Sequence, residues 1–185
     1  MGLKDELARI AGSAAAYADA GEELAGVLAA EPHPDRRVYL CAFSDGDESI
    51  EWLVLDGAGE PVAERGLVRE AASIVALCEL AEESAGGGSL EELRTRLVTL
   101  RLTENPLGIE EAEAAALALE QTIGAPPRVA SPAFLDAVGA ATRELELALG
   151  APGASPFAAT MKGGVETVEL FVRDVEEAYK LDLAS

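Results

Sequence analysis

The chain has 185 residues, 34 acidic and 14 basic, for a formal charge of −20; 49% of it is hydrophobic but only 4% aromatic. That length and content suit one domain with an aliphatic core of Ala, Leu and Val. The charge opposes phosphate backbones and anionic lipid surfaces, and neither Arg36-Arg37 nor the Arg94, Arg96, Arg101 set forms a polybasic patch, so nucleic-acid and membrane partners are excluded.

The N-terminus, Met-Gly-Leu-Lys-Asp-Glu-Leu, is amphipathic and acidic and has no apolar signal core. No run reaches the ~18 apolar residues of a membrane span. The expected location is cytoplasmic. Leu3, Leu7, Ile10, Ala14, Tyr17, Gly21, Leu24 and Leu28 keep a 4-3-4-3 spacing, which predicts one long helix over Leu3–Ala29 with a coiled-coil-like seam. Gly12, Gly21 and Gly26 weaken it, and Glu31-Pro32-His33-Pro34-Asp35 stops it. His33, the only histidine, reads as an exposed linker residue.

Val38–Phe43 is an unbroken apolar run, too short for a helix and closed by turn residues, so it predicts a strand buried on both faces. Turns at Asp45–Glu48 and Asp56–Glu60 make the following strands an antiparallel meander. Leu67–Ala85 is a helix with Leu67, Ala71, Ile74, Cys78 and Ala81 on one face. Gly86-Gly87-Gly88 ends it. Arg94–Thr103 alternates Val98, Leu100 and Leu102 with polar residues and is assigned as a strand. Gly108–Ile123 is an Ala/Glu helix, Arg128–Ala130 a short edge strand, and Ser131-Pro132 the start of another helix. Residues 150–164 read as loop, and 165–183 as a final helix with Val165, Val168, Val172, Val175 and Tyr179 on one stripe.

The expectation is therefore a single domain of residues 1–185: an N-terminal helix at 1–30, a core at 36–149, the loop and the C-terminal helix. Its class is α/β, a three-stranded antiparallel meander plus one or two parallel strands. The competing architecture is a helical bundle carrying a hairpin sheet. From Arg36 to Leu149 the element order resembles the ribonuclease-H-like arrangement, a meander followed by crossover helices with strands parallel to the first. The resemblance implies that the first strand, taken as Val38–Phe43, is central, and that divalent metals are held by carboxylates near the strand ends.

In an open α/β sheet, ligands sit at the carboxyl ends of parallel strands. Ser44, Asp45, Glu104, Asn105 and Ser131 would gather there, with Asp136 nearby. Asp45, Glu104 and Asp136 are the catalytic and metal candidates under this reading. Glu79 is a further possible ligand, and Mg²⁺ or Mn²⁺ would activate water. As a calcium loop, Asp45-Gly46-Asp47-Glu48 lacks the further ligands an EF-hand needs, so a solvated turn is the better account. Lys162, Gly163 and Gly164 precede a helix and form a candidate anion site. Cys41 and Cys78 read as core hydrophobes rather than a disulfide or metal pair.

Two functional readings follow. One is a non-enzymatic interaction or scaffold module without a cofactor, whose partner is itself or another protein, self-associating through its heptad-spaced helices. The other is a divalent-metal hydrolase or a small-ligand binder using the crevice.

Overall fold

The computed structural model describes residues 1–47, 49–85, 109–148 and 157–181. Among them is an α/β fold: a four-stranded mixed sheet and six α-helices. Helix α1 (Leu3–Ala14) is followed by a 3-10 turn (Ala15–Tyr17). Then come β1 (Glu23–His33), β2 (Arg36–Ser44), β3 (Ile50–Leu55), α2 (Arg65–Glu83), α3 (Ile109–Ile123), β4 (Val129–Ala130), α4 (Pro132–Ala148), α5 (Phe157–Gly163) and α6 (Val165–Glu177).

The strand order is β3-β2-β1-β4, with β1, β2 and β3 antiparallel and β4 parallel to β1 at Ala29 and Ala30. The central apolar segment is where the sequence puts it. β2 is paired on both sides, and Val38, Tyr39, Leu40, Cys41 and Phe43 are at most 2% exposed. Tyr39, Cys41 and Phe43 point to one face and Leu40 to the other, so both faces must be covered. α1 covers the first, where Glu6 accepts hydrogen bonds from the Tyr39 hydroxyl and from Arg37 (3.2 Å). On the other, Trp52 meets Phe171 of α6 edge-on at 5.4 Å between ring centroids.

The long N-terminal helix is not formed. It ends at Ala14, and Glu23–His33 is a strand instead. Gly21, at φ 93°, turns the chain in a conformation that a side chain would resist. The first strand of the meander is consequently Glu23–His33, not Val38–Phe43, and the parallel strand pairs with it. Pro32 falls within a register irregularity between Ala30 and His33, where a missing N–H does least harm. Pro34 and Asp35 form the hairpin turn, Asp35 at φ 62°. His33 ends the strand with its Nε2 2.6 Å from Glu70 on α2, so it is tied to the fold rather than loose in a linker.

The stripes that suggested seams face inward. Ile10 and Ala14 of α1 are fully buried, as are Val168, Val172 and Val175 of α6 to within a few per cent. Val165 is exposed, and Tyr179 lies past the helix end. The Leu67–Ala81 face of α2 is buried as expected, and both cysteines are buried and form no disulfide. Residues 94–103 and Glu104 lie outside the described residues. The stretch read as a loop from Gly150 contains α5, whose Phe157 and Met161, one turn apart, pack on buried side chains.

The chain sorts into two compact units. The first, residues 1–76, 126–132 and 167–185, holds the sheet. The second, residues 77–125 and 133–166, is helical, and its core includes Ala81, Ala112, Ala116, Leu119, Val138 and Leu145.

Candidate functional site

The most concentrated chemistry lies in the sheet unit, along the outer edge of β3. An edge strand exposes unpaired backbone groups, and here the segment after α6 satisfies some of them. Trp52 N–H donates to the Ala178 carbonyl and Lys180 N–H to the Trp52 carbonyl, each at 2.8 Å. Val62 N–H donates to the Val54 carbonyl on the same edge at 2.8 Å. The buried Tyr179 hydroxyl donates to the Val62 carbonyl at 2.7 Å. Residues 178–180 thus form a strap along β3.

Lys180 is the charged end of that strap. Its side chain is only 3% exposed, and Nζ lies 2.6 Å from Glu22, 2.9 Å from Asp19 and 3.3 Å from Glu51. It also sits 4.9 Å from the centre of the Phe43 ring, a cation–π distance. Burial alone would disfavour the ammonium. The Asp19, Glu22 and Glu51 carboxylates outweigh that and hold its pKa above the ordinary lysine value. The 19–22 turn is built for the role: Glu22 Oε2 also accepts the Asp19 N–H at 2.8 Å, and Gly21 supplies the bend.

Asp19, Glu22 and Glu51 are also the one group of three among the described residues with ligand oxygens mutually close enough for a metal ion, within 4.8 Å. The Lys180 ammonium bonds to all three, so a cation already stands where a metal would.

Beside Lys180 runs a groove. One part, about 630 Å³, is lined by Ile50, Glu51, Glu177 and Leu181 among others. A second, about 500 Å³, is lined by Ile50, Trp52, Phe171, Asp174, Glu177 and Ala178. The parts adjoin, sharing Ile50, Glu177 and Ala178 in their linings. The floor is apolar, with Ile50 46% and Leu181 45% exposed. The acids of the rim are Asp19, Glu51, Asp174 and Glu177, and Arg173 approaches Glu177 at 3.8 Å.

The sequence candidates are placed elsewhere. Asp45 is exposed in the β2–β3 turn, where its carboxylate accepts the Asp47 N–H and the Ser49 hydroxyl, both at 3.0 Å. Those two bonds, the backbone one first, draw its pKa below the usual value. The supposed crevice joined Asp45 to Ser131, and the sheet separates them. β2 runs antiparallel to β1 and β4, so its carboxyl end pairs Ser44 with Glu23, whereas β4 pairs Ala130 with Ala30. Seven residues at roughly 3.3 Å each put these ends about 23 Å apart.

Asp136 is exposed on α4, and Glu79 lies on α2, its carboxyl pushed up by burial with Glu82 and Glu83 adding to the effect. Lys162 is in the last turn of α5, not ahead of an open helix start. The Gly164 N–H is spent on the Thr160 carbonyl at 2.8 Å, and a Cβ at Gly164 would collide with Leu80. Gly164 therefore reads as close packing between helices, whereas a Cβ at Gly163 would meet nothing within 4 Å, and Glu166 adds negative charge at the start of α6.

Reading residues in sequence order missed Lys180, because its three partners lie 158, 161 and 129 positions away. The available signal was scarcity: the chain has three lysines, and this one ends an apolar stripe. No protein-family model, curated protein or solved structure matches the chain.

Proposed function

We propose that the chain is a non-enzymatic protein-interaction module that binds a partner along the outer edge of β3. The observation that carries this reading is the groove itself: exposed Ile50 and Leu181 on the floor, acids along the rim, and a strand edge held in place by the 178–180 strap. Apolar side chains ringed by polar ones are the usual anatomy of a contact surface. Self-association through the helices loses its motivation, because the stripes of α1 and α6 are used in the core. Cys41 and Cys78 are buried and form no disulfide, which suits a reducing compartment and supports a cytoplasmic location. Among the described residues no helix is long and apolar enough to cross a membrane.

The test is paired affinity capture with the full chain and its Ile50→Asp variant, with light scattering on both. A partner recovered with the wild-type chain and lost with the variant supports the reading. Recovery that ignores the substitution, from a chain that is also monomeric, overturns it.

A further inference from the structure

We infer that the partner presents an extended cationic segment, lysines or arginines alternating with bulky apolar side chains, and that it lies in the groove beside Lys180. This rests on the interaction reading above and names the class of partner.

Three observations carry it. First, the charges are one-sided. Asp19, Glu51, Asp174 and Glu177 border the groove, while Lys180, the single lining cation among the described residues, is already bonded to three carboxylates. Asp19 and Glu51 are 75% and 50% exposed at their side chains, so both keep carboxylate surface that faces water.

Second, both parts have apolar lining, with Ile50 shared between them, Trp52 and Phe171 in one and Leu181 in the other. Extended peptides alternate side chains across their axis, so a segment of alternating basic and apolar residues meets the rim and the floor at once. Third, the molecule shows the recognition in cis. Lys180 is held by carboxylates over an aromatic ring, and the groove continues that combination with Glu177 and Asp174 beside Trp52 and Phe171. A chain of charge −20 adds attraction at longer range but does not choose the groove.

The experiment uses the full chain and a fluorescein-labelled heptapeptide of alternating lysine and leucine, with a glutamate-for-lysine peptide as control. Anisotropy gives the affinity, and emission of Trp52, the only tryptophan, gives a local readout. The expected result is binding of the lysine peptide with a change in Trp52 emission, and at least tenfold weaker binding of the glutamate peptide. The double variant Asp174→Lys/Glu177→Lys should weaken binding at least tenfold. The charge-matched Glu110→Lys/Glu111→Lys, whose residues do not line the groove, should change it less than twofold.

Equal losses in the two double variants would show attraction to net charge alone and overturn the proposal. So would indifference to peptide charge, or a dimer dissolved by Ile50→Asp that the lysine peptide does not compete away, which would make the occupant a second copy. If a captured partner needs Ile50 yet the lysine peptide does not bind, the interaction reading stands and the cationic class falls.

Discussion

Asp45 and Glu22 are both carboxylates in turns that flank the sheet, yet their surroundings differ in kind. Asp45 sits in a run of acids, Asp45, Asp47 and Glu48, and its hydrogen bonds reach only Asp47 and Ser49 within the same turn. Glu22 also has acids beside it in sequence, Asp19 and Glu23, but the fold adds Glu51 and Lys180 from distant elements, and its side chain is 10% exposed. The first cluster organises a turn. The second joins the N-terminal turn, the edge strand and the chain that follows α6. Both turns are dense in acids in sequence, so that density does not separate them; convergence of charged groups from separate elements on Lys180 marks the constraint.

The largest test of that contrast is removal of the ammonium. Lys180→Met leaves Glu22 without its buried counter-charge and releases the charged end of the strap. Breaking a buried pair from one side costs about 3–5 kcal/mol. The exposure of Asp19 and Glu51 lets water recover part of this, so a loss of roughly 2–4 kcal/mol is expected in urea unfolding. A midpoint equal to that of the wild-type chain would show that the cluster does not hold the strap.

Next in size is Tyr179→Phe. It deletes the hydroxyl that bonds to the Val62 carbonyl at 2.7 Å and leaves that buried acceptor unpaired. The expected loss is about 1–2 kcal/mol. Because the Lys180 ion pairs remain, the double variant should lose less than the sum of the two single losses if the strap docks as one unit. Strict additivity would mean that the two anchors act independently.

The same contrast explains what was legible in the sequence. β2 declared itself because Val38 to Phe43 must be apolar on both faces. β1 did not, because Leu-Ala-Gly-Val-Leu-Ala-Ala has low strand preference and Leu24 and Leu28 happen to continue a helical spacing. Pairing with β2 overrides that preference, as tertiary contacts do when local propensities are weak. Gly21 was the readable stop signal and was outweighed by the heptad pattern. The Lys180 cluster had little local signature: Asp19 and Glu22 share a turn, but Glu51 and Lys180 join them only after the meander closes and α6 returns to β3.

The strap also predicts an alkaline limb. The Lys180 pKa is higher folded than unfolded, so its contribution is complete below the ordinary lysine value of 10.5 and is lost as pH rises beyond it. The raised Tyr179 pKa, due first to burial, acts in the same direction above 10.0. Burial also pushes the Cys41 thiol from 9.0 up to about 12, so thermal melts should begin to fall near pH 9 and fall more steeply above 10. The fall should be shallower in Lys180→Met, and a fall of the same steepness would assign the limb to other groups.

The smallest effect belongs to the turn. The Asp45 pKa is lowered, so whatever Asp45 contributes is present above its ordinary value of 3.8 and is lost as pH falls through the folded value. The carboxylate is exposed, water competes for each of its bonds, and an Asn side chain can still accept from the Asp47 N–H. Asp45→Asn should thus leave the melting temperature at neutral pH within measurement error and shift only the acid end of the profile. A loss at neutral pH approaching that of Lys180→Met would erase the distinction between the two clusters. It would mean that the β2–β3 turn, although its bonds close on itself, sets the position of Ile50 and Glu51 and with them the mouth of the groove.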